Sequence, residues 1–85
     1  MSYSANLKRS AEKELRDLAK TERERVVAAI LGLRENPFPS GIKKLKNIDG
    51  YRLRVGDYRV LYTVNEKERI LEVYAIGHRK DIYRK

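Results

Sequence analysis

The sequence has no cysteine and no tryptophan, a single histidine, methionine and phenylalanine, and two prolines. Without cysteine there can be no disulfide framework and no thiolate metal centre. One histidine among scattered carboxylates makes a structural metal site a poor fit, so neither a metal nor a small-molecule cofactor is expected. No segment approaches the ~20 apolar residues that span a bilayer, and the N-terminus lacks an apolar run of signal-peptide length. The expectation is a cytoplasmic protein with no membrane partner. No Pro/Gly/Ser-rich stretch breaks the chain, so residues 1–85 are read as one domain with a single small core.

What the chain has in excess is positive charge. Its 20 Lys/Arg against 12 Asp/Glu give a formal net charge of +8, which points to nucleic acid or an acidic protein as partner. The charge is uneven. Residues 1–36 carry 8 basic and 6 acidic side chains, whereas residues 37–85 carry 12 and 6.

The second half contains the most informative stretch, Tyr51 to Tyr62. Apolar and basic residues alternate up to Gly56-Asp57, a Gly-first pair suited to a two-residue type II′ turn, and alternate again beyond it. Because successive side chains point to opposite faces, Tyr51, Leu53, Val55, Tyr58, Val60 and Tyr62 share one face. Arg52, Arg54 and Arg59 share the other, with Arg54 directly across from Arg59. Opposed like charges destabilise a strand pair by roughly 0.2–1 kcal/mol. Arginines can simply keep a sheet face soluble, but patterning for stability would put a carboxylate at one of these two positions.

Around the hairpin, Tyr3, Ala5 and Leu7 alternate with polar residues, as in a half-buried strand. From Ser10 the period becomes helical, with Ala11, Leu15, Leu18 and Ala19 on one side, Ser10 as a cap, and Glu12 and Glu14 in the first turn. A second helix is signalled by the Thr21/Glu24 capping box and the apolar set Val26, Val27, Ile30, Leu31 and Leu33, ending at Asn36-Pro37. Two helices with so short a link should form an antiparallel hairpin. Residues 37–50 read as a loop or irregular strand, with Lys43, Lys44 and Lys46 around Ile42, Leu45 and Ile48. After a turn at Asn65–Arg69, Ile70 to Ile76 reads as a last strand with Leu71, Val73 and Ala75 toward the core, because Glu72 needs the other face. The order β-α-α-β-β-β predicts an α+β fold, a two-helix hairpin packed on one face of a largely antiparallel sheet. The arginine face is then the uncovered one.

The tail Gly77-His78-Arg79-Lys80-Asp81-Ile82-Tyr83-Arg84-Lys85 leaves the last strand and can fold back over that face. His78 has the side chain whose ordinary pKa, about 6.5, suits proton transfer near neutrality. Tyr83 suits base stacking or a ribose 2′-OH, and equally a buried anchor for the C-terminus. Arginines grip phosphate oxygens bidentately and stay charged at any biological pH.

The run Lys44-Leu45-Lys46, then Gly50 to Tyr62, then Gly77-His78-Arg79 and Tyr83 resembles the RelE/ParE superfamily of type II toxins, most closely its RelE branch. The helical first half fits that fold. The resemblance implies a protein that enters the ribosomal A site, cleaves mRNA there, and is held inactive by a cognate antitoxin. By position it implies catalytic roles for Arg52, Arg54, Arg59, Arg79 and Tyr83, and RNA or ribosome contacts for the lysines. The best-known members have lysines where this chain has Arg52 and Arg54. Arginine is a very poor general base, so the expectation of proton transfer passes to His78, at a position that is basic in those relatives. Two alternatives share the fold: a ParE-like non-enzymatic toxin that binds DNA gyrase, and an inactive RNA-binding relative.

Overall fold

A computed structural model describes residues 2–46 and 49–78. The element order is β1 (Ser4–Leu7), α1 (Arg9–Arg16), α2 (Lys20–Glu35), β2 (Lys43–Lys44), β3 (Tyr51–Val55), β4 (Tyr58–Asn65) and β5 (Ile70–His78). The five strands form one sheet in the order β1-β5-β4-β3-β2, with β1 parallel to β5 and the other pairs antiparallel. The helices cover one face, giving the expected α+β layers. The irregular segment 37–50 adds a short strand, β2, at the far edge.

Both helices begin earlier than their capping signals suggest. α1 starts at Arg9 behind Lys8, and α2 at Lys20 behind Ala19, neither with a side-chain cap. Ser10, Thr21 and Glu24 therefore lie inside helices. The entry to α1 is set by the sheet instead, since the Lys8 N–H donates to the Val73 carbonyl (2.9 Å). Leu18 and Ala19 form the link rather than the end of α1. There the Arg23 guanidinium donates to the Arg16 and Leu18 carbonyls (3.4 and 3.2 Å), satisfying acceptors that a helix end leaves open. α2 ends where proline requires, with Asn36 extended at φ −147°. Its end is tied to β1 by a reciprocal pair. The Tyr3 N–H donates to the Arg34 carbonyl (2.7 Å) and Arg34 Nε to the Tyr3 carbonyl (3.1 Å).

The core between helices and sheet holds Ala11, Val26, Ile30, Leu33, Val60, Tyr62, Leu71, Val73 and Ile76. One helix face cannot bury a full apolar arc, so Val27 and Leu31, expected inside, lie 38% and 51% exposed. Tyr62 is fully buried, and its hydroxyl donates to the Pro37 carbonyl (2.7 Å). Burial first, and the neighbouring Tyr51 second, push its pKa from 10.0 up to about 12. Gly50 has φ +134°, and a Cβ there would lie 2.8 Å from the Tyr62 carbonyl oxygen, so only glycine lets β3 start this close to β4.

The last strand departs from its expected alternation. Leu61 pairs with Ala75 and Tyr62 with Val73, so Tyr74 is an extra residue, a β-bulge. The bulge reverses the phase of the strand. Leu71 and Val73 reach the core as expected, but Ile76 replaces Ala75 there, and Ala75 packs with Leu61 on the other face.

Candidate functional site

The hairpin has the register read from its sequence: Val55 opposite Tyr58, Arg54 opposite Arg59, Leu53 opposite Val60 and Arg52 opposite Leu61. Gly56 has φ +61° while Asp57 is not among the positive-φ residues, the signature of a type II′ turn. Two rows of side chains cross the outer face of the sheet. One runs Lys43, Arg52, Leu61, Ala75, and the other, nearer the turn, runs Arg54, Arg59, Gly77. With about 7 Å between rows and about 4.8 Å between strands, four cations crowd one corner of the sheet. Lys44 falls in register with Tyr51, on the opposite face, and Lys46 is exposed beyond β2.

No carboxylate stands in either row. Glu72 shares this side but pairs with Thr63, at the end of β4 and β5 away from the turn. Among the described residues, Lys43, Arg54 and Arg59 form no ion pair; the two salt bridges, Lys13–Asp17 and Arg16–Glu12, both lie on or at the end of α1. Arg54 Nε donates to the Gly56 carbonyl (3.2 Å), which holds its guanidinium beside the turn. Arg59 Nε and Nη1 are buried and, among the described residues, meet no acceptor. Buried donors of a cation without a partner cost several kcal/mol in general, and an anion is the kind of group that would offset this.

The outer face is not wholly bare. Leu45 and Tyr74 pack against Leu61 and Ala75, so an apolar patch continues the Lys43–Arg52 row across β4 and β5. Gly77, opposite Arg59, adds no side chain to this face.

His78 is not with the arginines. It pairs with Tyr58 on the helix-side face, ring edge to ring face, with centroids 5.8 Å apart and planes at 84°. The expectation that it joins the cationic face fails because the Tyr74 bulge turns every later side chain of β5 over. Ile48, Arg79 and Tyr83 lie outside the described residues. On the helix side, Glu22, Arg25, Val55, Gly56, Asp57 and Tyr58 line a small cleft beneath the turn. Its charges are mixed, and no group of His, Asp or Glu among the described residues can hold a metal ion.

The chain and its fold are similar to those of known proteins. The family described as ParE toxin of type II toxin–antitoxin system, parDE, matches residues 5–83. A protein of Methanocaldococcus jannaschii described as "Putative toxin RelE1" is 32% identical over 88 residues, covering 99% of this chain and 98% of that protein. Among solved structures, the archaeal RelE–RelB complex from Pyrococcus horikoshii OT3 contains a chain 30% identical, with TM-score 0.83 over 95% of this chain and 99% of that one. The intact Escherichia coli RelBE toxin–antitoxin complex contains one 28% identical, with TM-score 0.78 over 91% and 96%. Fold and sequence thus agree that this chain belongs to the RelE/ParE superfamily, as a RelE-like toxin of a toxin–antitoxin system.

Proposed function

We propose that this toxin is a ribosome-dependent mRNA endoribonuclease working by transesterification in the A site. The observation that supports the reading is the Arg54–Arg59 pair, with Arg59 donors buried and, among the described residues, unanswered, on a face without carboxylates in its two cationic rows. A phosphodiester supplies the missing charge, and its pentacoordinate transition state supplies more, so the cations bind the transition state better than the ground state. The ribose 2′-oxygen bonds to phosphorus and the bond to the 5′-oxygen breaks, leaving a 2′,3′-cyclic phosphate and a 5′-hydroxyl. The 2′ proton passes to water ordered on the ribosome, and the leaving oxygen takes one from the same source.

Arg52, Arg54 and Arg59 stabilise charge. Arg79 adds a further cation and Tyr83 orients the nucleotide, as the family resemblance implies. His78, turned to the other face, is assigned no contact with the phosphate. The lysines divide: Lys43 extends the cationic corner, while Lys44 and Lys46 meet RNA or ribosome at the β2 edge. With arginine in place of a good base, most of the rate comes from positioning, and the ribosome supplies much of it by holding the mRNA. No metal ion enters this scheme, and the toxin acts in the cytoplasm, where its substrate is.

The RelE chains it resembles are found in complexes with RelB. By the same logic a cognate antitoxin holds this toxin, laying an acidic segment over the arginine face. The family description as ParE favours a second reading, a non-enzymatic toxin that binds DNA gyrase.

Primer extension on a defined mRNA in a purified translation system decides between them. Cuts at codon positions that need ribosomes and vanish in Arg54→Ala support the nuclease. Absence of cuts from folded wild type, with gyrase inhibited instead, supports the second reading; RNA binding without either effect marks an inactive relative.

A further inference from the structure

β5 is longer than the strand beside it. β1 pairs with Ile70 to Val73 and stops at Leu7, after which the chain turns into α1, while β5 continues to His78. The Ile76 N–H therefore points to the place where β1 would have continued. A side chain fills that place: Glu14 of α1 accepts the Ile76 N–H at Oε1, 2.9 Å away, across 62 residues of sequence. A carboxylate on an N–H forms a charge-assisted hydrogen bond, stronger than the ladder bond it replaces.

We infer that Glu14 is a positioning residue for the cationic site, holding the half of β5 beyond the Tyr74 bulge at a fixed depth against Arg59. The residue that follows Ile76 is Gly77, whose backbone lies in register with Arg59. The Tyr74 bulge bends β5 and sharpens its local twist, and beyond it the strand is paired with β4 on one edge while β1 no longer covers the other. Glu14 ties down that uncovered edge from the helix side, so the Gly77 backbone keeps its place opposite Arg59. Glu12 and Arg16, on the same helix, form an exposed ion pair and take no part.

The inference rests on the nuclease reading for its consequence in catalysis, and its structural half stands apart from it. Two variants separate acceptor from charge and packing. Glu14→Gln keeps a carbonyl that accepts the same N–H; Glu14→Met keeps the length and offers only a weak acceptor. In ribosome-dependent cleavage, Glu14→Met is expected to lower kcat about ten-fold, the scale of a sub-ångström misplacement. KM should stay within about two-fold, because the binding cations remain. Glu14→Gln should restore the wild-type rate. Amide exchange, read residue by residue on the pure toxin, should speed up at Ile76 in Glu14→Met and not in Glu14→Gln.

Ile76 exchange unchanged in Glu14→Met would overturn the inference whatever the activity. So would a loss of rate in Glu14→Gln equal to that in Glu14→Met, since charge rather than the hydrogen bond would then matter. If wild type cleaves nothing, the nuclease reading falls. The exchange data and the Arg59 Nε–H resonance, expected to shift in Glu14→Met alone, still test the positioning.

Discussion

Arg54 and Arg59 stand directly opposite each other across the β3–β4 ladder, two cations where a stable hairpin would place a cation and an anion. This toxin keeps an unfavourable pair at the point where its proposed substrate supplies the counter-charge. Replacing Arg54 by glutamate should then raise stability by about 0.2–1 kcal/mol, seen as a higher urea midpoint. The same substitution should abolish mRNA cleavage. A variant both less stable and inactive would show that the pair is not in conflict.

His78 offers a second test. Because its ring packs on Tyr58 behind the sheet, His78→Ala should reduce ribosome-dependent cleavage by no more than about three-fold, whereas Arg59→Ala should reduce it by a hundred-fold or more. A bell-shaped rate profile with a limb near neutrality that disappears in His78→Ala would restore the imidazole as proton carrier.

The hairpin, its turn and its arginine face were legible because each is local. Alternation and a glycine fix which side chains share a face over twelve consecutive residues. α1 starts two residues before its capping signal because Lys8 is held by Val73, a contact that no local pattern announces. The bulge was invisible for a similar reason. Tyr74 suits either face of a strand, so nothing in the residues 70 to 78 marks where the alternation slips. One slipped residue then misplaced Ala75, Ile76 and His78 together. Glu14 reads as a helix-dipole residue in sequence, and its partner lies on the last strand.

Tyr62 predicts an alkaline limit. Its pKa rises from 10.0 to about 12 on folding, so unfolding releases a tyrosine that ionises more readily. The stability this contributes is complete below pH 10 and is lost as pH rises through about 12. Tyr62→Phe should cost about 1–2 kcal/mol at neutral pH by leaving the Pro37 carbonyl without its donor. It should also flatten the fall in melting temperature between pH 10 and 12.

Gly50 and Gly41 form a matched pair of controls. Both have positive φ, +134° and +90°, but a Cβ at Gly41 meets nothing within 4 Å while one at Gly50 meets the Tyr62 carbonyl at 2.8 Å. Gly41→Ala should cost about 1–3 kcal/mol from backbone conformation alone. Gly50→Ala should cost more, with β3 displaced from β4, measurable as a lower melting temperature and lost protection along that ladder.

The parallel pairing of β1 with β5 also has a bearing on how the toxin is made. Chains emerge from the ribosome N-terminus first, so Ser4–Leu7 waits through the synthesis of more than sixty residues for its partner strand. Until Ile70 to His78 is out, α1 has no sheet to lie on, and Glu14 has no amide to hold. The arginines of the hairpin are translated earlier but have no rigid frame behind them. A nascent chain therefore carries the charges of a toxin before it has the shape of one, and an interrupted message yields only the former.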